Sequence, residues 1–341
     1  MVGTDGDAQW GLRDAADAAR LSGMTENAPL TSWGPGQAEG LGRELVLAEH
    51  RLAELPLFTD AALADLLDHH PRSELQAYTM GTDAGAAWMP VDVGPATGAE
   101  LLDVVARGQL WLNVLRIDRS DTAFSDLQDR LFGEIEARNP DFEGGSARST
   151  VLVSSPGTQV PFHVDAGPNV FWHIRGEKRV FVYPALDEHF VARRTLEDIY
   201  CSVHEEYVPY SPEFDRSARV FDLAPGEVLA WPQNSPHRVV NVAGVNVSLS
   251  CEYATGASRR REYLWCGNRL MSRTLRLPVR STRETGAAAA IKRFAFRAAR
   301  KARLTRPGAQ HVYLAAVRVD PEAPDGLARV DEPVRAPFST G

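Results

Sequence analysis

The sequence predicts a mainly β protein with flanking helices, its core an antiparallel sandwich or barrel. Short apolar runs at 150–154, 159–165, 169–174, 178–183, 227–231, 237–242 and 246–252 have the composition of strands. Turn residues punctuate them: Arg175-Gly176-Glu177 suits a tight hairpin, and Ala243-Gly244 suits another. Many short strands at this spacing indicate a sandwich or barrel rather than a βαβ sheet. The interval 186–221 breaks the rhythm with a helix expected at 195–200 and a Pro- and Tyr-containing loop. Insertions of this kind serve as lids or binding loops, or are plain surface excursions.

The flanks read differently. Residues 1–40 hold several Gly and Pro and no sustained period, and they read as a disordered lead-in, with structure expected from Leu41. Residues 41–148 form a helical, mixed region expected to pack on the core. There Leu41, Leu45, Ala48 and Leu52 have helical spacing over 41–55, and Thr59 can cap a short helix carrying Leu63, Leu66 and Leu67. Residues 81–98 look like strand and loop. Ser120 or Asp121 opens a helix with Phe124, Leu127, Leu131 and Ile135 on one face, ended by Pro140. The core is assigned to 149–258, and 259–341 is expected to be a basic helical region and tail. Within it, 287–304 reads as a helix whose narrow apolar stripe, Ile291, Phe294 and Ala298, is flanked by Lys292, Arg293, Arg297, Arg300 and Lys301.

Composition narrows the class. With 341 residues, 44% hydrophobic and 24% charged, and no long uninterrupted apolar stretch, the chain is neither collagen-like, wholly disordered nor membrane-spanning. The first twenty residues lack a basic start followed by an apolar run, so a secretory signal is not expected and a cytoplasmic location is. Cys201, Cys251 and Cys266 form no CxxC and cannot all pair, which supports neither a disulfide framework nor a zinc ribbon; they read as reduced thiols. Of the 37 basic residues only Lys178, Lys292 and Lys301 are lysines. Residues 258–306 carry a net charge of +13, against −8 for the whole chain. A solvated basic helix packing on an acidic body or on a second subunit is favoured there over nucleic-acid binding.

His163-Val164-Asp165 puts an imidazole and a carboxylate two residues apart, hence on one face of a strand. A lone HxD means little. A third ligand candidate, His237, gives it weight, because a Pro225-Gly226 turn launches a strand, Pro232 ends it, and His237 opens the next. Two His and one carboxylate leave open positions on a metal, an arrangement that suits non-haem Fe(II) and O₂ chemistry.

With these residues in view, the segment 159–253 resembles the JmjC and cupin-like branch of the Fe(II)- and 2-oxoglutarate-dependent oxygenases. The match runs through His163, Asp165, Asn169, Gly176-Glu177-Lys178, Pro225-Gly226-Glu227, Pro232 and His237, with Lys178 thirteen residues after Asp165 and His237 eleven after Gly226. The resemblance implies a double-stranded β-helix, a jelly-roll or cupin-like core, in which His163, Asp165 and His237 hold Fe(II) as the catalytic centre. It implies that Lys178 pairs with the far carboxylate of the co-substrate 2-oxoglutarate, with Asn169 as a second polar contact, while O₂ is the other co-substrate. Physical chemistry supports a cation at Lys178, since an unpaired buried carboxylate is costly; the alternative is a strand-edge Lys that blunts sheet pairing.

The pattern is not followed throughout. On 246–252, Ser248, Ser250 and Glu252 share one face; Ser250 is taken as a co-substrate contact, while a carboxylate at Glu252 would repel 2-oxoglutarate unless protonated or turned away. His173, four residues after Asn169, reads as a hydrogen-bonded core histidine, and Trp172 and Trp231 as packing aromatics. His50, His189, His204 and His311 lack partners at ligand spacing. The leading expectation is an oxygenase hydroxylating a C–H bond of a small-molecule, peptide or protein substrate. A metal cupin that does not use 2-oxoglutarate, acting as a dioxygenase or isomerase, and a non-catalytic cupin-like binding module are the alternatives, and homodimerisation through the C-terminal helices is expected.

Overall fold

In the computed structural model the described residues are 28–84, 88–203, 206–279, 281–305 and 311–340, without the side chains of 311, 312 and 337–340. In chain order the elements are α1 (Pro35–Gly40), β1 (Val46–Glu49), α2 (Asp60–His69), β2 (Leu75–Thr79), β3 (Val91–Asp92), α3 (Gly98–Arg107), β4 (Leu110–Val114), α4 (Ile117–Ser120) and α5 (Thr122–Glu136). Then follow β5 (Gly145–Ser154), β6 (Gln159–His163), β7 (Asn169–Val182), α6 (Arg193–Tyr200), β8 (Arg219–Leu223), β9 (Glu227–Ala230), β10 (His237–Ala254), α7 (Gly256–Arg269), α8 (Ala287–Lys301), β11 (His311–Val319) and β12 (Leu327–Thr340).

Two long antiparallel strands organise the core. The first half of β7 pairs with β9 and with the second half of β10, where Ser248 meets His173 and Glu252 meets Asn169. Its second half pairs with β8 and with the start of β10, where Asn241 meets Lys178 and His237 meets Val182. The second half of β10 also pairs with β5, which continues to β4 and β2, whereas its start pairs with β6. The result is one sheet ordered β1-β9-β7-β10-β5-β4-β2 and a second run ordered β8-β7-β10-β6, joined through the two shared strands. Phe171, Leu229, Trp231, Tyr78 and Trp111 of the first pack with Val160, Val180, Val182, Leu223 and Val239 of the second. This is the mainly β jelly-roll core expected from the sequence.

A second apolar layer, with Trp172, Val170, Leu249 and Val153 on the opposite face of the larger sheet, packs against Leu63, Val104, Phe124 and Leu131 of the helices. Two helix starts are where the sequence puts them: Thr59 Oγ1 accepts from Ala62 N–H at 3.3 Å, and Asp121 Oδ1 from Ala123 and Phe124 N–H at 2.9 and 3.2 Å. None of the helices formed by described residues is long and apolar enough to cross a membrane.

Several local expectations are corrected. The segment 41–55 is not a helix: Gly42 takes a left-handed φ of 72°, and 46–49 forms β1, its Val46 and Ala48 buried by pairing with β9. Neither proposed hairpin turn exists. Gly176 (φ 84°) and Gly244 (φ 67°) instead bend strands that run on through them, and a Cβ at Gly176 would come within 2.7 Å of Asn246. The disordered lead-in assigned to 1–40 lies outside the described residues up to 27, but over 28–40 the chain forms α1 and buries Leu30 and Trp33. Beyond the basic helix the C-terminal region is not merely a tail, since β11 and β12 pair with each other and with β3. On α8 the side facing the body holds Ala289 and Lys292, while Ile291 and Phe294 are 59% and 74% exposed.

Two histidines brace the layers. His50 is buried, its Nδ1 accepting from Leu52 N–H at 3.0 Å, so its Nε2–H donates to the His173 carbonyl at 2.9 Å. Burial pushes the His50 pKa down to about 4. Between pH 6.5 and 4 the unfolded chain therefore takes up a proton that the folded chain refuses, and stability falls as the pH is lowered through this window. The expected loss is about 3 kcal/mol for this residue. Urea unfolding at pH 7 and pH 4.5 will show it as part of a drop in the transition midpoint, and His50→Gln will make that drop smaller, the remainder coming from the other buried histidines.

Candidate metal centre

β6 ends at His163, the chain turns, and Asp165 follows two residues later; β10 begins at His237, which lies opposite His163 in the ladder. The three side chains converge, with one ligating atom from each lying within 4.8 Å of the others. His163 Nε2 stands 3.8 Å from Asp165 Oδ1, and His237 Nε2 stands 3.8 Å from Asp165 Oδ2. These gaps are too long for hydrogen bonds and match the spacing that one ion held at about 2 Å from each ligand would require.

The proton positions suit metal binding. His163 Nδ1 lies 2.8 Å from the Pro161 carbonyl and His237 Nδ1 lies 3.2 Å from the Ser235 carbonyl. A carbonyl only accepts, so Nδ1 carries the proton on both rings and each Nε2 lone pair points into the centre. Burial pushes both imidazoles down to about 4, keeping them neutral and available as ligands. Asp165 has the opposite problem: burial pushes its carboxyl up, and its buried Oδ2 has no hydrogen-bond partner among the described residues. A divalent cation resolves that conflict, and the donor set of two imidazoles and one carboxylate fits Fe(II).

The supporting shell was not picked out from the sequence. Asn234 Nδ2 donates to the Asp165 carbonyl at 3.0 Å, and Tyr200 Oη donates to Asn234 Oδ1 at 2.5 Å. Gln233 Nε2 donates to the Ala166 carbonyl at 2.9 Å. Asn234 sits at φ 66°, a left-handed conformation that Asn tolerates. The Pro232-Gln233-Asn234 turn just after β9 was the available signal. Glu206, also missed, accepts from Ala166 N–H at 3.1 Å, and burial beside Asp165 and Glu252 raises its carboxyl. Its neighbour Tyr207 bridges to His163, and Trp88 stands 6.1 Å from the His163 ring.

The remaining predicted site residues fall on the same inner surface. Lys178 is 3% exposed, its Nζ 5.1 Å from the Phe171 ring; Phe171 lies 6.1 Å from Trp231, and Trp231 4.4 Å from His237. It makes no hydrogen bond or ion pair with a described residue, and burial pushes its ammonium down to about 7. The strand-edge alternative for Lys178 is therefore excluded. Asn169 and Ser250 bond to each other, Nδ2 to Oγ at 2.8 Å and Oγ to Oδ1 at 3.1 Å. Glu252 is exposed, and desolvation and Asp165 push its carboxyl up to about 7. A carboxyl held up in this way repels an anionic co-substrate less than a fully ionised one. His173 is a core histidine, bonded to Ser248 Oγ at 3.2 Å and the Gly176 carbonyl at 2.9 Å. His204 lies outside the described residues.

An HxD pair and a distant His meeting inside a jelly roll form a candidate metal centre. Residues 105–258 match the family model described as a cupin-like domain, in line with the resemblance carried by the motifs. No curated protein matches the chain. Among solved structures, Escherichia coli ycfD is similar at 16% identity with a TM-score of 0.47, over 79% of this chain and 67% of that one. The ribosomal oxygenase YcfD from the same organism, in complex with cobalt and 2-oxoglutarate, is similar at 16% identity and a TM-score of 0.45, over 82% and 68%.

Loss of a ligand and loss of its support will separate in metal titrations. Asp165→Ala will abolish stoichiometric Co(II) binding followed by calorimetry, with the circular dichroism spectrum retained. Asn234→Ala will weaken binding by about 10- to 100-fold.

Proposed function

We propose that the chain is an Fe(II)- and 2-oxoglutarate-dependent oxygenase that hydroxylates a C–H bond of a small-molecule, peptide or protein substrate. The observation that carries this reading is the buried, unpaired ammonium of Lys178 on the same inner surface as His163, Asp165 and His237. A three-ligand metal site alone suits many cupins. A cation held in the apolar interior without a counter-charge among the described residues needs an anionic ligand, and a dicarboxylic acid that chelates the metal at one end presents its other carboxylate there.

Fe(II) in this centre would couple oxidative decarboxylation of 2-oxoglutarate to hydroxylation, using O₂. The chain's own groups have distinct tasks. His163 and His237, kept neutral and fixed by their Nδ1–H bonds, and Asp165, held through its carbonyl by Asn234, would bind the ion on one face and leave the other open. Lys178 would orient the co-substrate through its far carboxylate, with the Asn169–Ser250 pair as neighbouring polar groups. Phe171 and Trp231 exclude water between the two charged ends. A cytoplasmic site of action belongs to the same proposal.

Lys178→Ala will raise the KM for 2-oxoglutarate by two orders of magnitude or more while Co(II) still binds, because stranding one member of a buried charge pair costs about 3–5 kcal/mol. Succinate release measures this, and His163→Ala will abolish it altogether. Wild-type affinity for 2-oxoglutarate in Lys178→Ala would instead favour a metal cupin that does not use the acid.

For the basic region, the proposed partner is a second copy of the chain. The exposed Ile291 and Phe294 sit among Arg and Lys, and the rest of the chain, strongly acidic, offers a complementary surface. Light scattering will give a dimer for the intact protein and a monomer for Phe294→Glu. A monomeric wild type that binds DNA with a steep salt dependence would make this helix a nucleic-acid arm.

A further inference from the structure

Cys201 and Cys266 lie 65 positions apart in the chain, yet their Sγ atoms stand 2.7 Å from each other, and both are free thiols. Cys201 caps α6 at the start of the path toward Glu206, and Cys266 lies within α7. The residues just before them, Tyr200 and Trp265, stack with their ring planes 7° apart. Tyr200 in turn holds Asn234, which holds the Asp165 carbonyl. Past Cys201, the Glu206 carbonyl accepts from Val164 N–H at 3.0 Å and its carboxylate from Ala166 N–H at 3.1 Å. The thiol pair thus stands behind both supports of the loop that carries Asp165.

We propose that Cys201 and Cys266 form a modification site, a dithiol that a two-electron oxidant of the disulfide class closes to an intramolecular disulfide, tying α6 to α7 behind the metal centre. Cys201, half-buried, is the sulfur that a soluble disulfide reaches; Cys266 is buried. The Cys201 thiolate attacks one sulfur of oxidised glutathione, breaking its S–S bond and releasing one glutathione thiol. Cys266 then attacks the Cys201 sulfur of the mixed disulfide, forming the internal bond and expelling the second glutathione. The two protons lost by the protein thiols end on the two glutathione thiols, and two electrons have reduced the oxidant. Cys251, buried 3.4 Å from Ser149 Oγ on the far side of the larger sheet, takes no part.

The test uses the full-length chain equilibrated in glutathione buffers from reducing to oxidising, then alkylated and read by mass spectrometry, with Tm measured in parallel. The expected result is a Cys201–Cys266 cross-link that grows with oxidation, loss of two of the three alkylatable thiols, and a Tm several degrees above the reduced form, reversed by dithiothreitol. Cys266→Ser removes the cross-link and the Tm rise, and Cys201→Ser, at the more exposed position, does the same if the first variant does not fold. All three thiols still free at the oxidising extreme, a stable glutathione adduct on Cys201, or a cross-link without a Tm change would overturn the proposal. Thiol counting needs neither iron nor 2-oxoglutarate, so its failure is distinguishable from failure of the oxygenase reading.

Discussion

The pairing of β7 with β10 is the constraint on which the rest of the molecule depends. Each strand is too long for one sheet, and each is bent at a glycine with positive φ, Gly176 or Gly244, so that its two halves serve different partners. Across the bends the register shifts by two residues, from Asn241 opposite Lys178 to Ser248 opposite His173, so side-chain facing is preserved while each half keeps its own pairing. The first half sets Lys178 opposite Asn241 and His237 opposite Val182, and the pairing of β10 with β6 sets His237 opposite His163. A slip of one residue would turn every one of these side chains to the other face.

The interior so formed is electrostatically unusual. Asp165 and Lys178 are both nearly inaccessible, they carry opposite formal charge, and among the described residues neither has an ion-pair partner that neutralises it, the aspartate meeting only two neutral imidazoles. Isolated buried charges are costly, and the fold tolerates them because apolar packing on both faces of the larger sheet supplies a large opposing contribution. Costs of this kind are characteristic of functional sites. The contrast with Arg238 is instructive: it is equally buried, yet it bonds Asp215 at 2.5 Å and the Tyr183 hydroxyl at 3.1 Å, and its charge is fully answered within the chain.

The 186–221 insertion and α7 join the site to the outer shell. Tyr200 and Glu206 come from the insertion and Trp265 from α7, so the loop bearing Asp165 is braced by elements that lie outside the jelly roll itself. The long excursion seen in the sequence is therefore part of the support of the metal centre. Its buried face, with Phe190, Leu196, Ile199 and Val208 packed on Phe162 and Val164, anchors it to the core.

Periodicity and turn chemistry within short windows were enough to show the strand-rich core, the capped helices at Thr59 and Asp121, and the HxD pair, because each depends on residues a few positions apart. The distant His237 and Lys178 became readable as site residues only through the spacing of a familiar motif. Tertiary structure alone decided the rest. Residues 46–49 are strand because β9 offers an edge, overriding a helical spacing; Gly176 and Gly244 bend strands instead of closing hairpins because β7 and β10 continue beyond them. Asn234, Glu206 and the Cys201–Cys266 contact draw their meaning from partners 34 to 69 residues away, and no local pattern encodes a contact between segments whose proximity is set by the packing of whole sheets.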